Sequence, residues 1–286
     1  MTIAILATIT CLGIPLLMMA IAVLSERPTA APKERALNRD TASRAGLITF
    51  IVWAVLTAAG VAAVLTVDFY STIASDRGQE IADAFRFLTA LAVPVGAMVI
   101  AVLVYSVLRR GSADLPLEDG EAIDGTGSFP RIWFVATAAL TLLIIIYPGL
   151  VTLNDVIDDH ETPELMVDVQ ALQWTWLMGY PEQGLENQTE LVIPVDTEIT
   201  FRITSRDVVH SFWVPAFLMK IDAIPGHTTT MSLIATEEGD FSDNPLYRLQ
   251  CAELCGLSHA NMRVPVRVVS QSEFDDWVSQ KSARAQ

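Results

Sequence analysis

"TELVIPVDTEITFRIT", Thr189 to Thr204, holds two short runs in which apolar and polar residues alternate, separated by the turn residues Pro194-Val195-Asp196. Alternation with a period of two is the mark of half-buried strands, and a proline beside an aspartate marks a turn. The same pattern recurs on both sides of this stretch. "ELMVDVQAL" (Glu164 to Leu172), "HSFWVPAF" (His210 to Phe217), "TTMSLIA" (Thr229 to Ala235) and "RVPVRVV" (Arg263 to Val269) all read as strands. Ile224-Pro225-Gly226 and Glu238-Gly239-Asp240 supply further turns. Short strands at this spacing predict an all-β sandwich or barrel over residues 155–286. The tail "SEFDDWVSQKSARAQ" starts with Ser272 before an acidic first turn and ends basic, which predicts a short C-terminal helix.

Upstream of residue 155 the pattern changes. Of the 286 residues, 52% are hydrophobic, yet the formal net charge is -15. From Asp155 onward there are 21 acidic and 8 basic residues, so that part carries 21 − 8 = 13 of the negative charges. The apolar residues concentrate in four runs, at about 2–24, 46–67, 85–108 and 132–153. Each approaches the roughly 20 residues a membrane helix needs. The fold class expected is therefore a membrane protein: N-terminal transmembrane α-helices over residues 1–154, then a water-exposed all-β domain. The first run could be a removed signal peptide, but it has no basic start and no clear cleavage site, so retention is expected. Cys11, inside that run, reads as a membrane-buried residue rather than a lipid attachment point. Arg27, Lys33, Arg35, Arg39 and Arg44 fill the first loop, and Arg109, Arg110 and Arg131 flank the third, whereas the second has only Arg77. Positive loops stay on the inner side, which places the β-domain outside. Its acidity disfavours nucleic acid and favours a basic partner.

The chemistry concentrates in "CAELCGLSHANM", Cys251 to Met262. A disulfide between Cys251 and Cys255 would close a small loop, constrain the unfolded chain little and leave His259 and Met262 unexplained. A structural zinc site has little use for a thioether. Thiolates, imidazole and a weak thioether form the ligand set of a copper electron-transfer site. Two thiolates can bridge two coppers, which then calls for a second histidine. His210, which opens "HSFWVPAF", is the candidate. His160 in "DDHETP" and His227 in "PGHT" read as exposed loop residues.

With these residues assembled, "DVVHSFWVPAF", "KIDAIPG" and "CAELCGLSHANM" resemble the binuclear copper (CuA) domain of cytochrome c oxidase subunit II, and "ALQWTW" (Ala171 to Trp176) resembles that family's tryptophan-rich stretch. The likeness runs from about Phe129 to Gln280. It implies a cupredoxin-like β-domain with Cys251 and Cys255 as bridging thiolates, His210 and His259 each on one copper, and Met262 as a weak axial ligand. It also implies that the backbone carbonyl of Glu253 binds copper, while the Glu253 side chain faces Mg or Mn at the interface with a catalytic subunit. Trp174 would be where electrons arrive from a docked cytochrome c. Asp207 is the first docking acid to consider. No haem is expected in this chain.

The resemblance further implies an electron relay in a haem-copper terminal oxidase, with the catalytic subunit I, a subunit III and cytochrome c as partners, in a bacterial inner membrane with the β-domain on the periplasmic side. A nitric oxide reductase or other haem-copper relative could use the same relay. A membrane-anchored copper store or chaperone is the rival from another class. Four features depart from the family pattern. Four spans stand where two are usual. Pro130 in "PRIW" replaces a proton-pathway glutamate, leaving Glu121 or Asp124 as substitutes. "GDFSDNPLYRLQC" lengthens the approach to Cys251. Arg263 and His227 stand where proline and arginine are common.

Overall fold

The computed structural model describes residues 32–109, 128–150 and 163–285. Three helices among these residues are long and apolar enough to cross a membrane. They are Gly46–Thr66 within α1 (Pro32–Thr66), Asp76–Ser106 within α2 (Asp76–Arg109), and Pro130–Leu150, which joins α3 (Ser128–Ile144) to a π-type turn at Ile145–Leu150. They correspond to the second, third and fourth apolar runs. The first run, Cys11, Glu121, Asp124 and His160 lie outside the described residues.

Helices α1 and α2 pack against each other through small and polar groups. Gly60 faces Val93 so closely that a Cβ there would come within 2.6 Å of the valine side chain. Trp53 donates its indole N–H to the carbonyl of Pro94 at 3.0 Å and packs with Ala97 and Ala101. Phe87 meets Tyr147 edge-on at 5.1 Å, which ties the end of α3 to α2. Many other apolar side chains on these helices point outward, among them Phe134, Val135 and Leu103. In water such surface would be unfavourable by roughly 25 cal/mol per Å²; in lipid it is the matching surface.

The β-domain is built from two sheets. One has the order β3 (Leu185–Gln188), β2 (Thr175–Tyr180), β1 (Leu165–Leu172), β5 (Glu198–Ser205), β8 (Thr229–Ile234). The other runs β4 (Leu191–Pro194), β11 (Arg263–Val269), β10 (Arg248–Cys251), β6 (His210–Val214), β7 (Met219–Ala223), with β9 (Gly239–Asp240) also on β11. The pairs β1–β5 and β4–β11 are parallel, and the remaining strand pairs are antiparallel. Alternation places the core as the sequence predicts. Leu165, Val167, Val169 and Ala171 of β1 and Ile199, Phe201 and Ile203 of β5 are buried, as are Val264, Val266 and Val268 of β11. The sheets meet where the rings of Phe201 and Phe212 pack tilted, 5.1 Å apart, and where Trp176 packs edge-on against Phe212. On the outer face, Asp168 and Arg202 sit directly opposite across β1–β5 and form a two-point ion pair at 2.6 and 2.8 Å.

The segment leading into α2, together with its first turns, joins the β-domain: Phe69–Asp83 groups with it by packing. It is held by backbone and side-chain hydrogen bonds together. Ala74 N–H donates to Ala216 C=O at 2.8 Å, Thr236 N–H donates to Ala74 C=O at 3.1 Å, and the Ser75 hydroxyl donates to Phe217 C=O at 2.9 Å. The Asp76 carboxylate accepts from Ile234 N–H, and Asn244, from the lengthened "GDFSDNPLYRLQC" stretch, donates to Thr72. Gly78 approaches so closely that a Cβ would lie 2.6 Å from Phe217 O. The unusual insertion thus contributes a side chain that pins this segment.

The C-terminal helix α4 (Gln271–Ala285) covers the opposite edge, with Trp277 edge-on to Tyr180 at 5.1 Å. Glu190 accepts from the Trp277 indole at 3.1 Å and pairs with Lys281 at 2.8 Å. Burial opposes ionisation of Glu190, but the Lys281 and Trp277 hydrogen bonds outweigh it and hold the carboxyl below its usual range. A carboxyl depressed in the folded state stabilises above its unfolded pKa, and that contribution is lost as pH falls through the folded pKa. Glu190→Ala is therefore expected to cost about 1–2 kcal/mol at neutral pH and less in acid. Denaturant unfolding at pH 7 and near pH 3 checks this; a cost independent of pH would contradict it.

Candidate metal centre

Neighbouring strands β6, β10 and β11 converge at one end of their sheet, and the candidate ligands stand at those ends. His210 opens β6, Cys251 closes β10, and Met262 immediately precedes β11. Register fixes the first two: Cys251 pairs with Phe212, and Ala252 N–H donates to Ser211 C=O at 3.0 Å. The connection from Ala252 to Met262 brings Cys255 and His259 back over the same end. Its closing 3-10 turn, His259–Asn261, and the Cys251 N–H to Met262 C=O bond at 3.0 Å hold it.

The side chains come together accordingly. Cys251 Sγ and Cys255 Sγ are 3.7 Å apart, and both are free thiols. His210 Nδ1 lies 3.8 Å from Cys251 Sγ, and His259 Nδ1 lies 3.5 Å from Cys255 Sγ. Met262 Sδ is 3.7 Å from Cys255 Sγ. The ligating atoms of His210, Cys251 and Cys255 all fall within 4.8 Å of one another, a grouping that could hold a metal ion. Both cysteines, Met262 and His210 are buried. The Glu253 carbonyl accepts from Cys251 Sγ at 3.0 Å, while Glu253 itself is exposed.

This donor set fits a soft metal. Two sulfurs 3.7 Å apart are too far for a disulfide bond of about 2.05 Å. Each sulfur faces an imidazole nitrogen, and a thioether closes the group, so thiolate, imidazole and thioether are in place together. Burial and the adjoining Cys251 thiol push Cys255 up to about 11, so a metal must displace its proton to bind.

The two other predicted residues lie at the rim. Trp174, in the β1–β2 turn, is 39% exposed, and its indole donates to the Cys255 carbonyl at 3.3 Å. Asp207 accepts from the Gln173 N–H at 2.7 Å, the Val208 N–H at 2.7 Å and pairs with His210 Nε2 at 2.8 Å. Burial opposes its ionisation, yet the bonds from His210, Gln173 and Val208 prevail and keep the carboxyl below the usual range. His227 is exposed in its turn and takes no part. One contributor escaped the sequence reading. Gln173, a polar residue in a turn and unremarkable by type, donates its side-chain amide to the Cys255 carbonyl at 2.7 Å.

Fold and site together define a membrane-helix protein carrying a β-sandwich with a sulfur- and histidine-lined group that could hold a metal. Comparison with known proteins agrees. Residues 166–269 match the family described as cytochrome C oxidase subunit II, periplasmic domain. A cytochrome c oxidase subunit 2 from Wickerhamomyces canadensis is 31% identical over 205 residues, covering 63% of this chain and 79% of that one. One from Thermostichus vulcanus is 42% identical over 125 residues, covering 44% of this chain and only 36% of that protein's length. The crystal structure of the periplasmic domain of subunit II of cytochrome oxidase from Bradyrhizobium japonicum is similar at 32% identity, with a TM-score of 0.39 over 43% of this chain and 96% of that one. The chain belongs to the cytochrome c oxidase subunit 2 family.

Proposed function

We propose that this chain is the electron-accepting subunit of a haem-copper terminal oxidase. It takes electrons from cytochrome c at a binuclear copper centre and passes them to haem in the catalytic subunit that reduces oxygen. The observation that carries this reading is the convergence of two free thiols, two Nδ1 atoms and one thioether at the ends of three paired strands. When bound, the copper pair supplies a one-electron redox couple.

The chain's own residues supply the rest. Cys251 and Cys255 would hold the copper pair through soft thiolates, and His210 and His259 would each add one imidazole. The paired strand ends hold these side chains, so little structure needs to move when charge changes. Burial of Cys251, Cys255 and Met262 keeps water from the sulfurs. Trp174, partly exposed and bonded to the Cys255 carbonyl, offers an aromatic face between solvent and the ligand loop. The exposed Glu253 side chain is available to a Mg or Mn ion shared with the catalytic subunit. The basic residues before the second apolar run favour a β-domain on the outer side of the membrane, periplasmic in a bacterium, and the family resemblance implies a subunit III as a further partner.

The experiment is to mix the copper-loaded full chain in detergent with reduced cytochrome c and follow both chromophores by stopped flow. Cytochrome oxidation coupled to bleaching of the copper bands supports the reading. A copper-loaded chain that stays oxidised overturns it, and ready transfer of Cu(I) to a chelator would favour storage.

Met262 would have a separable role, since a weak thioether donor tunes potential more than it holds metal. Met262→Leu is expected to retain most of its copper while the reduction potential shifts and turnover falls. Metal analysis and redox titration check this. A variant matching wild type in spectrum, potential and turnover would remove Met262 from the ligand set.

A further inference from the structure

We propose that Gln173 is a positioning residue that ties both ligand-bearing segments to the β1–β2 turn, an inference that rests on the copper reading above for its purpose but not for its geometry. One residue makes both connections. Its side-chain Nε2 donates to the Cys255 carbonyl at 2.7 Å, gripping the 252–262 connection. Its backbone N–H donates to Asp207 Oδ2 at 2.7 Å, and Oδ1 of the same carboxylate pairs with His210 Nε2 at 2.8 Å. Because Nε2 of His210 is engaged in this way, the ring presents Nδ1 toward Cys251 Sγ, 3.8 Å away. The run Cys255–Gln173–Asp207–His210 therefore spans the two thiol- and imidazole-bearing segments, which are 255 − 210 = 45 residues apart in sequence.

The neighbourhood is shaped for this contact. Gly256, at φ +117°, follows the gripped carbonyl, and a Cβ there would come within 3.1 Å of Gln173 Nε2. A side chain at 256 would thus push the amide away as well as strain the backbone. Arg206 N–H donates to Ala171 C=O at 2.9 Å, which keeps the turn holding Asp207 beside the one holding Gln173. The Trp174 indole reaches the same Cys255 carbonyl at a longer 3.3 Å, so the amide is the closer donor. Glutamine suits the place by chemistry. Its amide reaches the carbonyl as a donor, whereas a glutamate of the same size would set oxygen against oxygen.

The test uses the full chain with Gln173→Glu, which removes the donor, and Gln173→Lys, which keeps an N–H donor of similar reach. Metal-free protein is treated with N-ethylmaleimide and the alkylation of Cys255 is timed. Copper-loaded protein is then challenged with a chelator, and its hyperfine pattern and reduction potential are recorded. Loss of one hydrogen bond to the loop is expected to speed alkylation and copper release about fivefold in Gln173→Glu. Hyperfine pattern and potential are expected to shift, and Gln173→Lys is expected to recover most of the wild-type behaviour. The thermal unfolding midpoint of the metal-free β-domain should stay near wild type in both variants. Unchanged alkylation and release in Gln173→Glu, or changes that merely follow a fall in that midpoint, would overturn the proposal. If wild type takes up no copper, the copper reading fails, while the alkylation rates still decide for or against the tie.

Discussion

Cys251→Ser or Cys255→Ser is expected to abolish the spectrum of a shared-valence copper pair and reduce electron uptake from cytochrome c to background. Each thiol sits between an imidazole and the other thiol, with Cys255 also facing Met262. A thiolate shared by two metals would serve both at once, so its loss would remove a ligand from each. Serine keeps the shape but offers a hard, poorly ionised oxygen where a soft thiolate is needed. The remaining cysteine, with two histidines and a methionine, would still suit a single copper. Partial copper retention with an altered, mononuclear spectrum is therefore the expected residue of the site. Metal analysis together with EPR reads the outcome, and circular dichroism confirms that the sheets remain. Full copper content with an unchanged spectrum in either variant would contradict the assignment of that thiol.

The second large effect concerns association. Beyond Asp155 the chain carries 21 acidic and 8 basic residues, and such a field steers a basic partner from a distance. The Debye length falls from roughly 10 Å at 0.1 M salt to about 3 Å at 1 M. The second-order rate with cytochrome c is expected to fall at least about tenfold over that range, while transfer inside a formed complex changes little. Trp174→Phe is expected to do the reverse, slowing transfer and leaving docking intact, because it removes the indole N–H that reaches the Cys255 carbonyl. Asp207 is a candidate docking acid, but Asp207→Asn is a poor probe of docking alone. Its carboxylate is already engaged by His210, Gln173 and Val208, so the variant disturbs a candidate ligand as well. Stopped-flow reduction of the copper pair across salt concentrations separates these effects. A salt-independent rate, or a Trp174→Phe variant as fast as wild type, would point to a tethered or membrane-bound donor.

Much of this architecture is legible in the chain because burial imprints on sequence. The alternation in "RVPVRVV" predicts β11 at its observed bounds, Arg263–Val269, since Val264, Val266 and Val268 face the core. The candidate metal site is legible for a different reason. Cysteine, histidine and methionine are scarce here, and their clustering has few structural explanations. What escapes is held by backbone or by residues of ordinary type. Strand β7 (Met219–Ala223) does alternate, with Met219, Ile221 and Ala223 toward the core, but it is only five residues long and its first two apolar residues are no more than half-buried, so its signal is weak. The docking of residues 72–78 onto the β-domain runs through backbone groups, which every residue carries, and through small polar side chains of ordinary type at Thr72, Ser75 and Asp76. Gln173 is invisible for the same reason: its role depends on a carbonyl 82 residues away.

The most direct measurement is copper analysis with EPR on the purified full chain after loading with copper. The account predicts a copper pair per chain, with the hyperfine pattern of one unpaired electron shared equally by both nuclei. A single copper with a mononuclear spectrum, or a silent site holding only Cu(I) under oxidising conditions, would contradict it.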